Sequence, residues 1–235
     1  MIPLPRFAAL CGLLLAPVLV TAAVFEGKIS LGLKAAKEKE MVIDYAMKDG
    51  LTRMEPKMAE AEGVAMIFNL AKQELTMLMP EQNMYMVMPM KAAAAKAAQQ
   101  AKGPEPKVEK TGKTETILGY LCEQYLMTDK DAVTEMWVTD KLGTFMGASG
   151  GNPMEGMMGG GKPKGAAAWE AVLKGKEGFF PLRVVSKDGK GKEVFRLEAK
   201  KIEPGTLPAS LFAPAPGMQK FNMPMMGGGS PFGGN

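Results

Sequence analysis

Histidine is absent from this chain and cysteine occurs only twice in 235 residues. These shortages exclude much familiar chemistry. Without an imidazole there is no Ser-His-Asp or Cys-His nucleophilic site and no histidine-ligated zinc. The nucleotide loops are missing too. GMMGGGKPKG at Gly156–Gly165 has the glycines of a phosphate cradle, but not the Gly-Lys-Ser/Thr ending of a P-loop or a buried strand before it. No EF-hand loop and no dinucleotide-binding glycine pattern occur. A strong charge of one sign is also lacking. Removing Arg6 from the 29 Lys and Arg leaves 28 against 25 Asp and Glu, and the lysines mostly alternate with acids. A nucleic-acid binder gathers its positive charge into a patch, so no nucleic-acid partner is expected.

Long apolar runs are confined to the start. Arg6, the run Phe7–Val20 and the small residues Thr21, Ala22 and Ala23 form the three-part layout of a cleavable signal peptide, residues 1–23. An uncleaved anchor is the alternative, but Pro17 interrupts the run, which is shorter than the roughly 20 residues of a comfortable span. The mature chain is then expected in the periplasm or outside the cell, with no integral membrane segment. Cleavage leaves Cys122 as the only thiol and rules out an internal disulfide despite the oxidising destination. Cys122 reads as a small buried apolar residue.

What the chain does contain is alternation. From Val24 to Pro89 apolar residues recur with period two, the pattern of half-buried strands. Asp49-Gly50 is a strong hairpin signal, because both positions accept the positive φ of a tight turn. A second hairpin is predicted around residues 71–73, and a return strand over Met84–Met88 follows the turn Pro80–Asn83. Residues 90–102 break the pattern with an alanine-rich segment that favours helix. Strands resume near Lys113–Leu118, Leu121–Thr128 and Thr134–Thr139, with a short helix predicted over 141–148. The Gly/Met-rich stretch 149–165 reads as a loop. Residues 166–174 read as a helix with Trp169, Val172 and Leu173 on one stripe. A last hairpin spans Phe179–Ser186 and Glu193–Ile202, and residues 217–235 read as a disordered Gly/Met/Pro tail. The layout is one domain over 24–216, mainly β with a few helices (α+β).

Several stretches resemble an uncharacterised bacterial exported family, domain of unknown function 4412. They are MVIDYAMKDGLTRME at Met41–Glu55, MLMPEQNMYMVMP at Met77–Pro89, KTGKTETILGYLCEQY at Lys110–Tyr125, EMWVTDKLG at Glu135–Gly143, and the final hairpin from Phe179 to Gly205. That family is similar to the LolA-type lipoprotein carriers. The resemblance implies a curved antiparallel sheet, or half-barrel, closed by helices around an apolar cavity, with a lipid or lipoprotein acyl chain as a candidate partner. It brings no catalytic residues.

Methionine stands out. In the hairpin closed by Pro80–Asn83, Met79 should face Met84, Met77 should face Met86, and Leu75 should face Met88, so six flexible apolar side chains would share one surface. Three readings remain open. The first is an adaptable lining for a lipophilic ligand, formed by Leu75, Met77, Met79, Met84, Met86 and Met88 with Trp169 pressing inward from its helix. The second is a structural or protein-interaction module, with the methionines as core filler. The third is a soft copper(I) site drawing on Met84, Met86, Met88, Met154, Met157, Met158, Met223, Met225 and Met226, weakened by the lack of histidine. The carboxylate pairs Asp44/Glu55 and Glu123/Glu135 are the acid-base candidates, and solvated strand faces explain them better. The chain therefore reads as a non-enzyme with no cofactor.

Overall fold

The computed structural model describes residues 25–35, 39–57, 63–90, 107–129, 132–146 and 178–222. Their regular elements are strands β1 Gly27–Ala35, β2 Met41–Lys48, β3 Leu51–Lys57, β4 Ala65–Asn69, β5 Glu74–Met79, β6 Met84–Pro89, β7 Lys107–Ile117, β8 Tyr120–Asp129, β9 Ala132–Thr139, β10 Phe180–Lys187, β11 Glu193–Pro204 and β12 Gln219–Lys220. Two 3-10 turns, Pro80–Gln82 and Ala209–Phe212, accompany them. All twelve strands lie in one sheet, in the order β12-β6-β5-β4-β3-β2-β1-β11-β10-β9-β8-β7. Two meanders, β1 to β6 and β7 to β11, are joined where β1 pairs antiparallel with β11.

The sheet curls about its inner face. Tyr45 on β2 lies 6.0 Å, ring to ring, from Phe180 on β10, although β1 and β11 stand between their strands. Three strand spacings in a flat sheet amount to about 14 Å. Phe145 completes the cluster, 5.7 Å from Tyr45 and 5.4 Å from Phe180. Alternation supplies the rest of this core: Ile29, Leu31 and Leu33 from β1, Ile43, Tyr45 and Met47 from β2, and Leu182 and Val184 from β10.

A second, smaller core lies on the outer face of the β2–β6 wing. After Pro204 the chain crosses behind β1 to β5 and pairs as β12, in parallel, with Met84 and Tyr85 of β6. This strap seats Leu207 and Phe212 against Ala46, Ala65, Ile67 and Leu78. Its backbone is held by side chains of the sheet. Glu26 accepts from the Leu207 amide at 2.6 Å, Lys48 donates to the Leu207 carbonyl at 2.9 Å, and Arg53 donates to the Leu211 carbonyl at 2.8 Å.

Three sequence expectations need correction. The described residues do not form a sheet closed by helices. Instead, residues 142–146 and the start of β10 fill the inner face, and the helices expected at 90–102 and 166–174 lie outside the described residues apart from Met90. The short helix expected at 141–148 is irregular chain up to Met146, because Gly143 at φ 77° turns it back so that Leu142, Phe145 and Met146 are buried. Within the tail expected from Gly217, Gln219 and Lys220 pair with β6, and residues 223–235 lie outside the described residues. The loop at 149–165 lies outside the described residues.

Candidate functional site

The methionine hairpin has the register read from the sequence: Leu75 faces Met88, Met77 faces Met86, and Met79 faces Met84. The turn sets it, with Pro80 opening a 3-10 turn and Asn83 closing it in the left-handed conformation at φ 52°. Leu75 belongs to the main core and Met88 packs against it, which places all six side chains on the inner face. Leu78 and Tyr85 point the other way, into the core under the strap.

The row extends further than the hairpin. Met77 also faces Met66 on β4, Met66 faces Met54 on β3, and Met54 faces Tyr45 on β2. A line of thioethers, Met54, Met66, Met77 and Met86, therefore crosses four strands on one side of the sheet. Burial is uneven along it. Met54 and Met66 are fully enclosed, Met86 is 8% exposed, and Met77, Met79 and Met84 are half-buried outside the packed core. Sequence alternation had placed Met54 and Met66 on strands, but only the pairing of β3 with β4 and β4 with β5 aligns them with the hairpin. Trp169, the remaining expected site residue, lies outside the described residues, as do Met154, Met157, Met158, Met223, Met225 and Met226.

At the buried end of the row stands Tyr45. Its hydroxyl has no hydrogen-bond partner among the described residues, and burial raises its pKa. An unsatisfied buried hydroxyl costs about 1–3 kcal/mol. Cys122 is fully buried, and burial pushes its thiol up to about 11, so the protonated form dominates at neutral pH.

The carboxylates do not assemble an acid-base pair. Asp44 and Glu55 are direct cross-strand partners, but each binds another group. Asp44 accepts from Ser30 at 2.6 Å and pairs with Lys57 at 2.6 Å, while Glu55 pairs with Arg53. Burial opposes ionisation of Asp44, but the Lys57 and Ser30 bonds outweigh it and lower its pKa. Glu123 and Glu135 are out of register: Glu123 faces Val138 and Glu135 faces Leu126. Glu123 accepts from Lys110 and Tyr125, and Glu135 from the Trp137 indole at 2.6 Å. Among the described residues no three acid or cysteine side chains gather at a metal-binding spacing.

The outer face of the β8–β11 wing carries a shallow depression of about 380 Å³. Its floor is Leu126, Val133 and Val185 and its rim includes Glu135, Arg183 and Arg196. The rim groups are already engaged. Arg183 pairs with Glu115 and stacks over Trp137, and Arg196 binds Glu193 through two bonds.

Residues 25–218 match the profile of a family described as Domain of unknown function (DUF4412). No curated protein matches the sequence. Among solved structures, an uncharacterised conserved protein from Thermus thermophilus aligns at 14% identity and TM-score 0.46, over 83% of this chain and 90% of its own. A LolA superfamily protein from Nitrosomonas europaea aligns at 13% identity and TM-score 0.32, over 82% and 90%. The MucA/MucB complex of Pseudomonas aeruginosa contributes a chain at 12% identity and TM-score 0.40, over 80% and 55%.

Proposed function

The chain belongs to the DUF4412 family, a domain of unknown function, and from that premise we propose that it is a non-catalytic binding protein for a lipophilic ligand. The ligand lies against the inner face of the β4–β5–β6 wing. One observation carries this reading: Met77, Met79 and Met84 share the inner face and are half-buried outside the packed core, and Met77 is in line with the enclosed Met66 and Met54. Unbranched thioethers adjust to variable shapes, and Leu75, Met86 and Met88 form the packed base of the patch. The candidate ligand class is a lipid or the acyl chain of a lipoprotein, which suits an exported protein of the cell envelope.

Burial of one methionine is worth roughly 1.5–3 kcal/mol, so the half-exposed residues act together. Replacing Met77, Met79 and Met84 together by Gln should weaken binding of a fluorescent fatty-acid probe by at least about tenfold. The thermal melt should change little, because these side chains lie outside the core. Probe titration of the parent and the triple variant tests this, and equal affinity for the two would refute the assignment.

A further inference from the structure

The β7–β8 hairpin turns at Leu118-Gly119, both with positive φ, 49° and 86°. The β2–β3 hairpin makes the same two-residue turn with Asp49-Gly50, at 49° and 75°. Such turns need left-handed backbone at both positions, which favours Asn or Asp followed by Gly. A bulky apolar side chain there is strained and makes no local hydrogen bond in return. Asp49, Gln73 and Asn83 are the other non-glycine residues of positive φ among those described, and all three are polar.

Leu118 is nevertheless 48% exposed, and Leu121 at the base of the same turn is 61% exposed, the two highest values among the exposed large apolar residues described. A Cβ added to Gly119 would meet nothing within 4 Å, so the turn itself is open, while Ile117 and Tyr120 on either side of it pack against the main core. Strain and apolar exposure therefore coincide at one turn. Strained backbone of this kind concentrates at functional positions.

We propose that this tip contacts a lipid bilayer surface, with Leu118 and Leu121 entering the apolar boundary. A stable protein interface needs about 800 Å² from each partner, far more than a convex turn with two leucines presents. A bilayer requires only apolar groups that protrude. Two ion pairs lie behind the tip, Glu115 with Arg183 and Lys110 with Glu123. Insertion therefore does not depend on anionic headgroups and persists at high salt. No described helix is long and apolar enough to cross a membrane. Two leucines give a weak and reversible attachment, distinct from the methionine patch and independent of it.

The test places a tryptophan at the tip of the full chain, as Leu118→Trp and separately as Leu121→Trp, and adds phosphatidylcholine vesicles with brominated acyl chains. The emission added by either substitution should fall at least about twofold, at low and high salt alike, as expected of a side chain at the acyl boundary. Asp49→Trp, at the polar twin of this turn, should be unaffected. Because all three chains carry the apolar run at residues 7–20, any attachment through that run affects them equally. Unquenched emission at both 118 and 121, which includes the case of a tip that docks on protein, would overturn the proposal. So would equal quenching at position 49.

Discussion

The two wings of the sheet solve the same problem differently. The β2–β6 wing is covered on its outer face by the strap from Gly205 to Met218 and at its edge by β12, and its inner face merges with the main core except at Met77, Met79 and Met84. The β7–β10 wing shares the inner core, but its outer face carries ion pairs and, among the described residues, no strand pairs with the far side of its edge strand β7. That edge is made unattractive to further strands. It carries Lys107, Glu109, Lys110, Lys113 and Glu115, and its pairing with β8 shifts register between Lys110 and Thr114. Charge and bulges blunt exposed edges in this way. One wing is shielded by burial, the other by repelling partners.

The contrast is broken most directly at Phe212, the aromatic anchor of the strap. Phe212→Ala should cost about 3 kcal/mol, as loss of a buried phenylalanine does, measured by urea unfolding. Arg196→Ala, which breaks an exposed pair on the other wing, should cost less than about 1 kcal/mol. Equal losses would mean that the strap is not a stabilising cover.

A smaller effect separates the two hairpin tips. Leu118→Asn should raise stability by roughly 1 kcal/mol, because it relieves left-handed strain, and Asp49→Leu should lower it by a similar amount. Thermal melts of the two variants check this exchange.

The smallest effect is that of pH on the strap. The Leu207 amide and then Lys48 hold the Glu26 carboxylate below its ordinary value of 4.5. A depressed folded pKa contributes stability that is fully present above 4.5 and is lost as the pH falls through the folded value. Hydrogen exchange at the Leu207 amide should therefore lose protection as the pH falls below 4.5, before amides of β8 do, and Glu26→Gln should remove that pH dependence.

The inner face of the sheet was legible where a short turn fixed a register. Pro80–Asn83 and Asp49-Gly50 determine which residues face each other, so the methionine pairs follow from counting. The strap was not legible, because Leu207, Leu211 and Phe212 lie among Pro204, Pro208, Pro214 and Pro216 without any period. The first half of β7 was missed for the opposite reason: its Lys, Glu and Thr residues face solvent at an edge and carry almost no apolar pattern. Nor does any local signal state that β1 pairs with β11 or that Met54 and Met66 align with Met77. Those facts depend on long-range pairing and on the order of strands in the sheet.

That long-range pairing also sets a timetable. Gly27 lies beside Pro204, and Ala35 beside Phe195, so the strand made first waits for almost the last. Each meander can zip from its own hairpins as it emerges, but the seam that unites them cannot close until β11 has followed, and the strap comes later still. Distant contacts of this kind slow folding. Until β11 arrives, the β1 edge stays unpaired and open to wrong partners, a period when a holding chaperone is most useful.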